Sequence, residues 1–295
     1  MTINSLYLSL ALAGVALLGA RQLLRWGLAP TATVAGTQPG ELGLQARSVH
    51  LSGPNGLRLF AWYVPPLAQA GAAPAVALMH GWGGNASTLL PAAQALHTAG
   101  YAVLLPESRN HGRSSRDDHS SLPRFADDLD RALDWLAEQP EVNAQRLAAL
   151  GHSVGAAAVL LVASRRPGLA AALSVGAFAH PEQVMRRWLA AYRVPYWPLG
   201  WVINRYVEWV IGTRFDRIAP LATLAQARCP VLLLHGAQDT TVPLADAQTL
   251  IAQHGAANAR LLTLDGTHEA FADPAVAERA VLEFLAEQMA AQPAS

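Results

Sequence analysis

Three residue types that together perform acyl transfer, a serine, an aspartate and a histidine, stand in this sequence just beyond strand-like runs. The serine is Ser153, inside Gly151-His-Ser-Val-Gly155. Glycines two residues either side of it let the backbone turn sharply, because a side chain there would strike neighbouring elements. Such a turn between a strand and a helix pushes the hydroxyl out toward a substrate, which makes Ser153 a candidate nucleophile. A serine also needs a base to take its proton and an acid to orient that base. Val231 to His235 reads as a strand, and the loop after it carries Asp239. Arg260 to Leu264 is the next strand, and the loop after it carries His268. Both groups therefore fall at the strand-end edge that holds Ser153. His268 is assigned as general base and acid, and Asp239 as the group that fixes its tautomer and supports the imidazolium. A merely packed serine in a tight turn leaves the order Ser, Asp, His without a reason.

Acyl transfer puts negative charge on the carbonyl oxygen, and a backbone N–H aimed at it is worth ~3 kcal/mol. Two are expected to do this. One belongs to Val154, at the start of the helix after the nucleophile, where the helix dipole also favours an anion. The other belongs to Trp82, in the glycine-rich stretch His80-Gly-Trp-Gly-Gly84. His80 and His235 each close a strand before glycine and read as architectural.

These groups need a scaffold that brings strand ends together. Short apolar runs at Leu44 to Leu51 and Leu57 to Val64 flank Gly53-Pro-Asn-Gly56, and Asn-Gly there is a hairpin signal. Strand-like runs follow at Ala75–His80, Tyr101–Leu105, Leu147–Leu150, Ala171–Phe178, Val231–His235 and Arg260–Leu264. Helix-like patterns lie between most of them, such as Phe125, Leu129, Leu133 and Leu136 after Pro123. That alternation predicts an α/β fold with a mostly parallel central sheet and helices on both faces, and a ligand site beyond the C-terminal strand ends. Residues 181–218 interrupt the rhythm and read as a small helical lid, with four of the chain's eight tryptophans and six arginines. From it, Trp188 and Trp201 are placed with His152 in the substrate pocket. The lid has two readings: a cap packed on the body, or an amphipathic surface that docks on a membrane and admits acyl chains.

Leu6 to Ala20 is apolar or small except for Ser9, and Arg21 and Arg25 follow it. Residues 1–30 are therefore read as an N-terminal apolar helix acting as an uncleaved, single-pass membrane anchor through residues 3–24. By the positive-inside rule the catalytic domain then lies in the cytoplasm. A cleaved signal, or an amphipathic or soluble arm, are the other readings. Residues 31–43, rich in Gly, Pro, Thr and Gln, form a linker, and 44–290 the main domain.

Composition excludes several functions. Over 295 residues the 21 basic and 21 acidic side chains cancel, so no overall field attracts nucleic acid. All the basic residues are arginine, which removes Walker-type phosphate binding and Schiff-base chemistry. The one cysteine, Cys229, makes no internal disulfide, and the scattered histidines form no zinc-ligand pattern, so neither metal nor cofactor is expected.

Taken together, His80-Gly-Trp-Gly-Gly84, Glu107-Ser-Arg-Asn-His-Gly-Arg-Ser114, Gly151-His-Ser-Val-Gly155, Leu234-His-Gly-Ala-Gln-Asp-Thr-Thr-Val-Pro243 and Gly266-Thr-His268 resemble the α/β-hydrolase superfamily. The resemblance runs from about Leu44 to Glu287. Within the superfamily the chain is similar to serine-aminopeptidase-like and lysophospholipase-like hydrolases. That group often has Asp-x-Arg-Gly-His-Gly-x-Ser where this chain has Glu107 and Asn110, a loop that is usually architectural. The resemblance implies cofactor-free hydrolysis of an ester, thioester or amide. The expectation is a membrane-tethered serine hydrolase acting through an acyl-Ser153 intermediate on a small-molecule or lipid-like carboxylic ester. The rivals are a peptidase or amidase with the same triad, and a non-catalytic binding protein on the same fold.

Overall fold

The computed structural model describes residues 36–67, 71–254 and 258–290, together with residues 7, 14, 19, 22, 30 and 33. Asn55 and Gly56 both take positive φ, at 52° and 76°, and turn strand β1 (Arg47–Ser52) back antiparallel onto β2 (Arg58–Val64). Six more strands follow: β3 (Ala73–Met79), β4 (Ala102–Pro106), β5 (Val142–His152), β6 (Ala171–Val175), β7 (Val231–Gly236) and β8 (Ala259–Leu264). They form one eight-stranded sheet in the order β1-β2-β4-β3-β5-β6-β7-β8. β2 is antiparallel to both its neighbours, and every pairing from β4 to β8 is parallel. The parallel run carries its strand ends to one edge, where the Ser, Asp and His loops meet.

Alternation along each strand divides the core in two. Ala75, Ala77 and Met79 of β3 and Val231 and Leu233 of β7 face helices α2 (Leu122–Ala137), α3 (Val154–Arg165), α7 (Pro220–Leu224) and α8 (Leu244–His254). Val76, Leu78, Leu232 and Leu234 face α1 (Leu90–Thr98) and α9 (Pro274–Ala290) on the other side. The α3 helix is buried along nearly its whole length, which is why its sequence is alanine-rich instead of amphipathic. Cys229 is buried beside β7, and burial pushes its thiol up to about 11.

Residues 107–114 are held from inside. Asp128, fully buried on α2, accepts from Ser108 Oγ, from Arg109 N at 2.9 Å, and from the Arg109 guanidinium. Glu107, also fully buried, accepts from Ala86 N and from Arg113, whose guanidinium lies 3.6 Å over Phe60 and 4.2 Å over Trp62. The longer glutamate at 107 thus reaches both the stretch after β3 and its own loop.

Between β6 and β7 the chain forms helices α4 (Pro181–Ala191), α5 (Trp201–Ile211) and α6 (Phe215–Ile218) before α7. Arg187 on α4 makes a two-pronged ion pair with Asp246 on α8, at 2.9 and 3.2 Å, and Asp246 also accepts from Ala179 N.

The expected single-pass membrane anchor requires correction. Among the described residues no helix is long and apolar enough to cross a membrane. Nearly all of residues 3–24, the expected apolar helix, lie outside the described residues.

Candidate active site

β5 ends at His152 and α3 begins at Val154, so Ser153 is the corner between them, at φ 56° and ψ −118°. A positive φ at a residue with a side chain costs about 1–3 kcal/mol and persists only where the surroundings impose it. Here the surroundings are backbone. A Cβ on Gly151 would overlap the carbonyl of Gly155, and one on Gly155 would overlap the carbonyls of Met79 and His80. Ser153 N–H is tied to Val175 O at 2.9 Å, which leaves the hydroxyl free of the turn. Val154, first in its helix, has an N–H with no intrahelical acceptor.

Asp239 reaches the same edge from the loop after β7. Its Oδ1 accepts from Thr241 N at 2.8 Å and Val242 N at 2.7 Å. Its Oδ2 then faces His268 Nδ1 at 2.6 Å, and His268 Nε2 lies 3.0 Å from Ser153 Oγ. With a carboxylate on Nδ1, the proton sits on Nδ1 and Nε2 is an acceptor facing the serine hydroxyl. His235, buried, meets Val242 O through Nε2 at 2.7 Å and so braces the Asp239 loop. The structure therefore brings Ser153, His268 and Asp239 into one hydrogen-bonded line. One contributor is not legible as such in the sequence. Gly176, within a run read as strand through Phe178, takes φ +67°, and a Cβ there would lie 3.3 Å from both Cε1 and Nδ1 of His268.

The loop after β3 abuts the serine: a Cβ on Gly81 would lie 3.2 Å from Ser153 Cβ. His80 organises that loop. It is fully buried, and desolvation drives its pKa down to about 3, so the ring is neutral. Ser108 N–H donates to its Nε2 at 3.1 Å, which puts the ring proton on Nδ1, and Nδ1–H donates to Gly81 O at 2.7 Å. Gly84 N–H donates to the same carbonyl at 3.1 Å. In a trans peptide the C=O and the next N–H point opposite ways, so these two donors turn Trp82 N–H away from His80. The Trp82 ring is 42% exposed and stacks on Phe125 at 6.3 Å.

His152 meets the backbone of His268, its Nε2–H donating to His268 O at 2.8 Å, with the two rings 4.8 Å apart. Burial lowers its pKa. His152 and His268 together form one wall of an apolar cavity of about 280 Å³ that runs between α1 and α9. Trp188 and Trp201 lie on the helical insertion, 49% and 43% exposed, and neither lines this cavity. His111, 1% exposed, packs on Phe125 and His80. Among the described residues no group of three histidine, cysteine or acidic side chains could hold a metal ion.

The family model described as "Serine aminopeptidase, S33" matches residues 71–219, which is half of the chain. A Mycobacterium tuberculosis protein named only as uncharacterised is 30% identical over 208 residues, 70% of this chain and 66% of its own length. The chain therefore matches slightly under two thirds of that relative. Among solved structures, an esterase of Pyrococcus furiosus superposes with a TM-score of 0.71 at 20% identity, covering 89% of this chain and 98% of the esterase. Est1E of Butyrivibrio proteoclasticus, with ferulic acid bound, superposes with a TM-score of 0.66 at 20% identity, covering 82% of this chain and 99% of that one. Those two likenesses carry the fold. By its family model and by its sheet, the chain belongs to the serine aminopeptidase S33 family of α/β hydrolases.

Proposed function

We propose that this protein is a serine hydrolase that cleaves a carboxylic ester, or a thioester, through an acyl-Ser153 intermediate. The observation that carries the reading is the continuous line from Asp239 Oδ2 through the imidazole of His268 to Ser153 Oγ, with spans of 2.6 and 3.0 Å. His268 Nε2 takes the hydroxyl proton as Ser153 Oγ attacks the carbonyl carbon, and Asp239 supports the imidazolium that forms. The N–H groups of Val154 and Trp82 receive the oxyanion, the first at a helix N-terminus and the second turned by the grip of His80 and Gly84 on the preceding carbonyl. His268 then returns the proton to the leaving oxygen, or to the leaving sulfur of a thioester, and water repeats the sequence to release the acid. Residues 181–218 serve as the lid over this edge, within a hydrolase domain of residues 44–290.

A second reading, cleavage of an amide with the same triad, draws on the aminopeptidase description of the family model. Hydrolysis of a chromogenic ester series beside an aminoacyl-anilide panel separates the two. Ester turnover that disappears in Ser153→Ala, with loss of fluorophosphonate labelling, is the expected result. Cleavage of anilides alone would replace the ester reading. Inactivity on both panels with an unlabelled Ser153 would leave only a binding role.

A further inference from the structure

The apolar cavity beside the two imidazoles has a position, a size and a charge that together describe an occupant. On the reading of Ser153 as nucleophile, we propose that this cavity receives the leaving-group side of the ester, and that the leaving group is an uncharged apolar alcohol.

Position comes first. When the tetrahedral intermediate collapses, the bond from carbonyl carbon to leaving oxygen breaks and the proton on His268 Nε2 moves to that oxygen. The product is a neutral alcohol, and the acyl group stays on Ser153 until water takes its place. A proton passes only across hydrogen-bond distance, about 3 Å, so the leaving oxygen must lie beside His268. Whatever is attached to that oxygen extends into space on the imidazole side. His268 and His152 line the cavity and Ser153 does not, which sets the cavity beside the general acid.

Size and lining agree with a hydrocarbon arm. At about 280 Å³ the space is roughly twice the 150 Å³ of an apolar cavity that accepts benzene. Leu96 of α1 and Ala277, Val281 and Leu282 of α9 contribute apolar lining. Charge narrows the class. Among the described residues the charged side chains on its lining are Glu269 and Glu278, with no arginine beside them. An alcohol bearing a carboxylate meets two like charges and no counter-ion there, and the neighbouring His152 is held neutral by burial.

The test uses the full chain and two substrate series: acetates of linear alcohols from methyl to octyl, and ethyl esters of acids from acetic to octanoic. Ala277→Leu and, independently, Ala95→Leu fill the cavity from its two helices, while Leu282→Ala enlarges it. Filling should lower the ratio of kcat/KM for hexyl over methyl acetate by about tenfold, the worth of roughly two buried methylenes. The preference among acyl lengths should stay where it was. Leu282→Ala should move the preferred alcohol to a longer chain. Glu278→Gln should raise turnover of acetates whose alcohol carries a carboxylate relative to neutral ones. A filled cavity that changes the acyl profile and leaves the alcohol profile intact overturns the assignment, as does one that changes neither. Failure of the hydrolase reading is distinct from both, because the unsubstituted protein would then turn over no member of either series.

Discussion

Replacing Asp239 by asparagine tests the candidate site through its hydrogen bonds instead of its size. In the aspartate the two carboxylate oxygens are chemically equal, and the structure gives them different work: Oδ1 accepts from Thr241 N and Val242 N, while Oδ2 faces His268 Nδ1. In Asp239→Asn only one terminal atom accepts. If it takes the Oδ1 place, the NH₂ group confronts His268 Nδ1 and donates to it, which strips that nitrogen of its proton and puts the proton on Nε2. That tautomer cannot take a proton from Ser153. The opposite orientation sets NH₂ against two backbone donors and leaves both unpaired, at about 1–3 kcal/mol each, so roughly 4 kcal/mol in all. Each 1.36 kcal/mol is about a factor of ten, so only about one molecule in a thousand holds the productive tautomer. The expected kcat is therefore reduced by about 10³ or more, with KM and thermal stability little changed. Asp239→Ala removes the acceptor without imposing the wrong tautomer and should be no worse than the nearly isosteric asparagine. Kinetics on a short-chain nitrophenyl ester, with ¹⁵N shifts of His268 to identify the protonated nitrogen, decide the matter. An asparagine variant within about tenfold of the parent, or clearly better than the alanine variant, would refute the reasoning.

Three further outcomes follow from the same geometry. Gly176→Val places a branched side chain at φ +67° against His268, where a Cβ alone would come within 3.3 Å, and should cut kcat by about ten- to a hundredfold more than it changes KM; an unaltered kcat would show that His268 does not depend on that contact. Asp128→Ala leaves the Arg109 guanidinium, 4% exposed, without its main counter-ion, and urea unfolding should report a loss of about 3–5 kcal/mol. His80 titrates near 3 when folded against 6.5 for the free side chain, so only the unfolded chain takes up its proton between those values. Stability from this residue is therefore complete above pH 6.5 and is lost as the pH falls toward 3. From pH 7 to pH 5 the share of His80 is about 2 kcal/mol. His80→Asn should flatten that part of the acid limb, measured as the difference in unfolding free energy at the two pH values.

Much of this arrangement is legible in the chain because it is local. The Asn55-Gly56 turn, the glycines around Ser153 and the apolar runs that become β6, β7 and β8 each announce themselves within a few residues. The start of β5 is not announced, since Asn143, Gln145 and Arg146 are polar and none of residues 143–146 is buried, and the continuous apolar run begins only at Leu147. The crossing of β3 between β4 and β5 is likewise absent from any local pattern, because sheet order is decided by which helix faces are buried together. Gly176 was hidden inside an apolar run, and its importance depends on a histidine 92 positions later. The cavity between α1 and α9 arises where residues far apart in the chain fail to fill space, which no single stretch can report. The aromatic residues of 181–218 mark out the insertion, yet Trp188 and Trp201 are not among the residues lining the cavity that His152 lines.

Cys229 supplies a quiet chemical background. It is the chain's one cysteine, 4% exposed beneath β7, and its thiol resists ionisation. Alkylating reagents attack the thiolate, so this side chain stays inert while the fold is intact. A cysteine introduced at Glu278, on the lining of the cavity, would then be the one thiol such a reagent can reach. Its rate of alkylation would report directly on whether an alcohol occupies the space, with no need to remove a native sulfur and no dependence on turnover.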